Sequence, residues 1–298
     1  MIARPIARAG VPESAARLLR LGHWRRGTTL RVIALSVYTL LTVFPFYWMI
    51  ITTFKQNSDL YSETNNPLWF NAPPTFDNVT YLLEQTRFLQ WMLNSLIIGV
   101  GVVVITLVTA VPAGYALARL RLPGAEQLGI AIFATYLVPP TLIFIPLTRV
   151  VHMLGLSNTI WSLVVVLPTI SIPFSVWLLM GFFKNVPFEI EEAALVDGAT
   201  RWQAVRRVVL PISRAGLAAV GMFSFAISLQ AFLYPLVFTS STAVKPVTLG
   251  VVTDLIRGDL FYWGSLMAGA LLAGIPVALL FTYFLDDFVE GITAGSTK

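Results

Sequence analysis

Charged residues divide this chain into long stretches from which they are missing altogether. Six runs lack Asp, Glu, Lys and Arg: residues 32–54, 88–118, 127–148, 150–183, 215–244 and 260–285, with lengths of 23, 31, 22, 34, 30 and 26. About 20 apolar residues cross a hydrocarbon layer as a helix, and two crossings need roughly 40, so each run holds one span. The pattern predicts an all-α, polytopic membrane helix bundle of six transmembrane helices. Proline falls in every run, at Pro45, Pro112, Pro139, Pro140, Pro146, Pro168, Pro173, Pro235 and Pro276. Such residues kink helices and free carbonyls, which membrane proteins accept where a neighbouring helix or a cavity supplies partners. Small residues four apart, Ala110–Gly114–Ala118 and Ser265–Gly269–Ala273, let helices approach closely.

Composition agrees with the pattern and excludes a soluble enzyme. Of 298 residues, 56% are hydrophobic and 12% charged, against about 25% charged in globular proteins. Mean hydropathy is +0.77. The net charge of +5 says less than where the charges sit. Six crossings put both termini on one side. That side carries fifteen Lys and Arg residues and the other only five, Lys55, Arg87, Arg149, Lys245 and Arg257. Basic residues collect on the cytoplasmic side, so both termini are expected there. The chain divides into a basic tail (1–31), the membrane domain (32–290) and a short C-terminal tail (291–298). The first run is too long for a signal peptide core of 7–15 residues and is read as retained. The tail "ESAARLLRLGHWRR" fits either an ordinary positive anchor or an amphipathic helix on the inner leaflet.

No catalytic constellation is visible. Cysteine is absent, and the two histidines, His23 and the loop residue His152, fall on opposite sides of the predicted membrane. A His-based triad or a metal site of several histidines is therefore excluded. None of the four lysines follows a glycine, so the phosphate-binding pattern GxxxxGK[ST] is missing and any ATP must be bound by a partner. The spans carry no charge of the kind that ion-coupled pumps keep, though sodium coupling through backbone carbonyls stays open. Polar groups in or beside the spans, Asn94, Ser95, Tyr136, Ser228, Gln230 and Tyr234, are candidates for a substrate pathway, Gln230 and Tyr234 first, or else hydrogen-bond neighbouring helices. Residues 55–87 interleave Tyr61, Trp69, Phe70, Phe76 and Tyr81 with prolines, as an interfacial aromatic belt or a docking surface for an external partner.

The remaining charged island is residues 184–214, "KNVPFEIEEAALVDGATRWQAVRRVVLPISR". Pro187 suits a first turn, and Glu189, Glu191 and Glu192 suit the positive end of a helix dipole. Asp197–Gly198 signals a turn. Thr200 with Gln203 makes a capping box for a second helix, which Pro211 is expected to stop. Two short helices result, as a well-capped structural loop or as a knob that presents charge to a partner.

Glu192-Ala193-Ala194, with Gly198, Val208 and Leu210-Pro211 at their spacings, resembles the EAA motif of binding-protein-dependent ABC importer permeases. The family usually has Ile at the Val208 position. "FPFYWMIITTFK", "WMLNSLIIGV" and "EGITAGSTK" resemble the carbohydrate-uptake branch, in its six-span subunit related to the maltose permease G-subunit. The resemblance implies that Glu191 to Ala194, Asp197, Gly198, Arg206, Leu210 and Pro211 couple to an ATPase, with Glu192 meeting a basic residue there. It implies a bacterial inner-membrane subunit that works with a homologous second permease, two cytoplasmic ABC ATPases and an extracytoplasmic solute-binding protein. The last of these is met by Arg257, Gly258 and Asp259. The chain itself would bind no cofactor, ATP and Mg²⁺ being held by the ATPase, and it would meet lipid but no nucleic acid. The stretch "SLQAFLYP" (228–235) departs from a Trp-Asn-Glu-type sequence in many relatives, so the family's substrate contacts do not transfer there. A sodium-coupled secondary transporter and an importer of a non-sugar solute are the competing readings.

Overall fold

The computed structural model describes the backbone of residues 13–120 and 122–294, and the side chains of residues 29–120 and 122–285. Arg121 and the ends of both tails lie outside the described residues, as do the side chains of the basic tail up to residue 28. The chain is helical through most of its length. Helix α1 (Glu13–Phe54) runs unbroken from the tail into the first apolar run. Short α2 (Asn57–Leu60) and α3 (Asp77–Gln85) lead to α4 (Phe88–Arg119), the central element. Beyond it come α5 (Ala125–Tyr136), α6 (Pro140–Met153), α7 (Ile160–Val166) and α8 (Pro168–Asn185). The charged island forms α9 (Phe188–Val196), α10 (Arg201–Ala204), a π-helical turn (Val205–Val209) and α11 (Leu210–Ile212). The rest is α12 (Arg214–Gln230), α13 (Leu233–Phe238), α14 (Val247–Leu255), a two-residue hairpin of β1 (Ile256–Arg257) and β2 (Leu260–Phe261), and α15 (Trp263–Ala294).

Among the described residues, four helices are long and apolar enough to cross a membrane: Thr29–Phe54, Phe88–Arg119, Ile160–Asn185 and Trp263–Leu285. The other two expected spans are bent pairs, α5 with α6 at 90° and Arg201–Ile212 with α12 at 78°; counting each pair as one span gives six. The first bend has a local cause. Pro139 and Pro140 have no N–H to continue α5, and a residue before proline is driven out of helical conformation. A small departure from the all-α expectation is the hairpin at residues 256–261.

Helix α4 lies between α8 and α12, while α15 joins α12 to the peripheral α1. The α4–α8 contact is close because Gly114 has no side chain. A Cβ there would sit 3.1–3.2 Å from the Leu179 Cβ, the Met180 nitrogen and the Val176 oxygen. Lower packing cost is not the only tie, since Thr106 and Ser171, both fully buried, share a 2.7 Å hydrogen bond across the same helices.

Arg119 closes α4 at the end of the bundle that carries the charged island, called here the loop end. At the far end, residues 55–76 fold over the bundle around two buried charges. Lys55 and Asp59 form an ion pair at 3.5 Å, and Lys55 donates to the Asn66 carbonyl at 2.7 Å. Asp59 also accepts from the Asn71 backbone N–H at 2.9 Å, the Asn71 amide at 2.8 Å and the Asn65 amide at 3.0 Å. Burial alone would raise its pKa. These donors and Lys55 outweigh it and hold the carboxyl down at about 2, against an ordinary 3.8. Tyr61, Trp69 and Phe76 remain exposed around this polar knot.

A carboxyl depressed in the fold stabilises fully above its unfolded pKa and loses that contribution progressively as pH falls from the unfolded value through the folded one. Protection of the Asn71 amide from hydrogen exchange, corrected for intrinsic rate, should therefore hold constant from neutral pH to about 4. Asp59→Asn should lower it at neutral pH by leaving Lys55 buried without its counter-charge, a defect of about 3–5 kcal/mol.

Candidate functional site

The charged island is held in shape by caps at each of its turns. Pro187 precedes α9, whose first turn carries Glu189 and Glu191. The helix ends in a Schellman arrangement: the Gly198 N–H donates to the Leu195 carbonyl at 3.1 Å and the Ala199 N–H to the Ala194 carbonyl at 3.0 Å. Gly198 has φ +87°, and a Cβ there would meet nothing within 4 Å. Glycine is required for its left-handed backbone, not for space. The capping box of α10 is formed: the Thr200 hydroxyl accepts from the Gln203 N–H at 3.3 Å, and the Gln203 side chain accepts from the Thr200 N–H at 2.8 Å.

Pro211 does not stop the second helix. It lies inside α11, and the chain turns two residues later at Ser213. Without an N–H, Pro211 cannot bond back to Arg207. The preceding turn widens to a π form instead, with the Leu210 N–H reaching the Val205 carbonyl. Val205 and Val209 point from this turn into the core, against Leu117, Met180 and Phe183. Arg206 and Arg207 are exposed on the other side.

The two neighbouring glutamates of α9 have opposite fates. Glu192 is exposed, together with Ala193, Asp197 and Gly198, while Ala194 is half-buried. Glu191 is 5% exposed and faces the end of α4. The Tyr115 hydroxyl donates to its Oε1, and the Arg119 Nε stands 3.5 Å from its Oε2. Arg119 also donates through Nη2 to the Val186 carbonyl, and its guanidinium lies 4.1 Å from the centre of the Phe188 ring. A cavity of about 260 Å³ opens beside this cluster, lined among others by Arg119, Phe188, Glu191, Leu195 and Arg201. Two buried guanidinium nitrogens, Nε and Nη1, make no hydrogen bond among the described residues, Nε having only its ion-pair contact. Next to the charges, Val196 (87% exposed) and Trp202 (65%) form an apolar knob. Tyr115, Arg119, Val196 and Trp202 were not singled out from the sequence. The available signal was an arginine closing a long uncharged run, together with the Phe188–Glu191–Leu195 face of α9.

The expected pathway residues separate into two groups. Asn94 donates to the Ala243 and Lys245 carbonyls at 2.8 and 3.0 Å, and the Ser95 hydroxyl accepts from the Val247 N–H at 2.8 Å. Ser228 is buried and donates to the Phe225 carbonyl at 2.7 Å. Tyr234 is buried as well, its hydroxyl donating to the Pro140 carbonyl at 3.0 Å across the α5–α6 bend. Asn94, Ser95 and Tyr234 tie separate elements together and Ser228 bonds within α12, which removes Tyr234 from the first rank of candidates. Tyr136 is half-buried and Gln230 exposed. Arg257, Gly258 and Asp259 lie exposed at the hairpin turn, where Gly258 has φ +61°. His152 lies in the last turn of α6, not in a loop. Among the described residues there is no cluster of three or more His, Cys, Asp or Glu that could hold a metal.

A long-helix membrane bundle with a capped, partly charged two-helix element between its helices is the form of a transport subunit. Residues 110–292 match the model of the binding-protein-dependent transport system inner membrane component family, and the chain belongs to that family. It is 35% identical to the diacetylchitobiose uptake system permease protein DasC of Streptomyces coelicolor, over 86% of this chain and 92% of that one. It is 31% identical to the sulfoquinovosyl glycerol transport system permease protein SmoH of Agrobacterium fabrum, over 93% and 96%. The trehalose/maltose transport system permease protein MalG of Thermococcus litoralis is 26% identical over 90% and 96%. Among solved structures, a bacterial ABC transporter that imports the acidic polysaccharide alginate shares the fold, with a TM-score of 0.76 and 18% identity over 88% of this chain and 96% of that one.

Removing one member of a buried ion pair leaves the other uncompensated, at about 3–5 kcal/mol. Glu191→Gln and Arg119→Met should each lower the thermal stability of the detergent-solubilised protein. The double variant should recover part of the loss, as a thermal-unfolding double-mutant cycle would measure.

Proposed function

We propose that this chain is one transmembrane subunit of an ATP-driven importer of a sugar or related polyol. The bent pairs count as single spans, giving six crossings with both termini in the cytoplasm, where the basic residues collect. A homologous second permease completes the pathway, two ABC ATPases hold ATP and Mg²⁺ below it, and an extracytoplasmic binding protein delivers the solute. This chain does no chemistry. Its part is to turn movement of the ATPases into movement of its helices.

The observation that carries this reading is the two-helix element joined to the bundle by Glu191, Arg119 and Tyr115. An element that transmits motion needs a stiff body, a gripping face and a fixed joint. The caps at Gly198 and Thr200 supply the first. Glu192, Asp197, Arg206 and the Val196–Trp202 knob face outward to supply the second. The pair between Glu191 and Arg119 supplies the third. Leu210 and Pro211 lead from the element into α12. At the opposite end, the hairpin tip Arg257-Gly258-Asp259 is the contact for the binding protein. The sugar assignment is supported by the relatives, whose names refer to diacetylchitobiose, trehalose or maltose, and a sulfoquinovosyl glycerol.

Co-expressed with its sister permease, ATPase and binding protein, the chain should purify as a complex whose ATP hydrolysis rises with binding protein. In proteoliposomes that complex should take up at least one of diacetylchitobiose, maltose, trehalose and sulfoquinovosyl glycerol, only when ATP is supplied. Uptake driven by a sodium gradient without ATP would instead support a secondary transporter. Glu192→Lys and Gly198→Asp should each weaken ATPase co-purification and cut uptake by at least about tenfold, the effect of 1.4 kcal/mol at one contact. Wild-type assembly and uptake in both variants would refute the coupling role.

A further inference from the structure

Five aromatic rings from three helices meet on one side of the bundle. Phe133 and Tyr136 come from α5, Phe174 and Trp177 from α8, and Phe223 from α12. Phe174 and Phe223 are 4.4 Å apart between centroids, Phe133 and Trp177 4.9 Å, and Tyr136 and Phe174 5.7 Å. Tyr136 also lies 6.3 Å from Phe223. None of the five is buried: four are half-buried and Trp177 is 40% exposed. Counted along their helices at 1.5 Å per residue, Tyr136, Phe174 and Phe223 lie about 14–17 Å from the loop end, half the thickness of a hydrocarbon core.

Polar groups without partners lie at this wall and, for Gln230, about 10 Å further along α12. Tyr136 is the last residue of α5, and the two residues that would donate to its carbonyl in a 3₁₀ or α turn are Pro139 and Pro140. Its hydroxyl makes no hydrogen bond among the described residues. Gln230, exposed and also without a hydrogen bond there, lies seven residues after Phe223 and so on the same face of α12. Lipid cannot satisfy such groups, so this face does not meet hydrocarbon. A tightly packed neighbouring helix fits poorly too, because close helix contacts in membranes are made by small residues, not by a row of rings. Aromatic faces combined with a few unpaired polar groups match a sugar, whose ring has an apolar face and a rim of hydroxyls.

We propose that Tyr136, Phe174 and Phe223 form the wall on which a pyranose ring of the transported sugar stacks during passage. The Tyr136 carbonyl and hydroxyl and the Gln230 amide bond its hydroxyls. This site rests on the sugar-importer reading above. The α5–α6 bend is what places it, since an unbroken helix would consume the Tyr136 carbonyl internally.

The test uses the whole reconstituted complex and the four-sugar uptake panel. Phe174→Leu and Phe223→Leu should each lower uptake about tenfold, the worth of one aromatic contact. Binding-protein-stimulated ATP hydrolysis and co-purification of the sister permease should stay within about twofold of wild type, well inside the tenfold step. Phe174→Tyr, which keeps the ring, should restore uptake. Wild-type uptake in both leucine variants overturns the site, and so does loss of the sister permease from them, which would make the wall a subunit interface. The two readings fail separately. A wild-type complex that moves no panel sugar sinks the sugar assignment and this site together, whereas sugar transport that ignores the wall sinks the site alone.

Discussion

A buried carboxylate on a short surface helix joins the two halves of this molecule. Glu191 leaves water to meet Arg119 and Tyr115, and all three come from stretches that are otherwise apolar or turned outward. Ion pairs at a surface are worth little, because solvent screens them and side-chain entropy opposes them. A pair under cover is different: breaking it strands a charge, so it resists slipping even when its net contribution to stability is small. That is the property a mechanical joint needs. The Val205 and Val209 contacts add adhesion but no direction, since apolar contacts slide at little cost.

Around that joint, the chain uses proline and glycine to fix where it is rigid and where it bends. Gly198 lets α9 end sharply, and Pro211 forces a widened turn just before the chain swings into α12. Pro139 and Pro140 break the third apolar run halfway. In water such breaks are cheap because solvent repairs the lost hydrogen bonds. At membrane depth each break needs a partner from the protein itself or from whatever passes through. Tyr234 ties the start of α6 to α13 by donating to the Pro140 carbonyl, but that is not a carbonyl the break has freed. The Tyr136 carbonyl receives none from its own helix.

Much of this was legible in the sequence wherever the governing interaction is local. Uncharged runs mark apolar helices because hydrocarbon excludes charge, and Thr200 with Gln203 marks a helix start because a capping box spans only four residues. The turn at Gly198 is equally local. What stayed hidden depends on distant partners or on helix phase. Glu191 and Glu192 are neighbours in composition and charge, yet the step of about 100° between them sends the first inward to an arginine seventy-two positions earlier. Asn94, Ser228 and Tyr234 look like pathway groups because they are polar residues in apolar runs. Only the positions of the Ala243 and Pro140 carbonyls reveal that Asn94 and Tyr234 are already satisfied, whereas Ser228 bonds back to Phe225 in its own helix. A run of uncharged residues also cannot say that it bends by 90°, because the bend keeps the composition apolar throughout.

The two ends of the bundle use buried charge in opposite ways, and this difference bears on what each end can do. At the far end, Asp59 is enclosed by donors from Asn65, Asn71 and Lys55, a saturated knot with little left to offer a partner. Saturation makes for a rigid rest state. At the loop end, Arg119 keeps a nitrogen unpaired beside an open cavity, and Glu191 is held by two groups of one helix. A buried polar atom without a partner is costly, so the cavity beside Arg119 is where an added hydrogen-bonding group would gain most. The ion pair itself stays the fixed joint, and the room for a new contact lies beside it, at the end that carries the capped helices. The saturated end offers no such opening, since its buried carboxyl is already enclosed by its own donors.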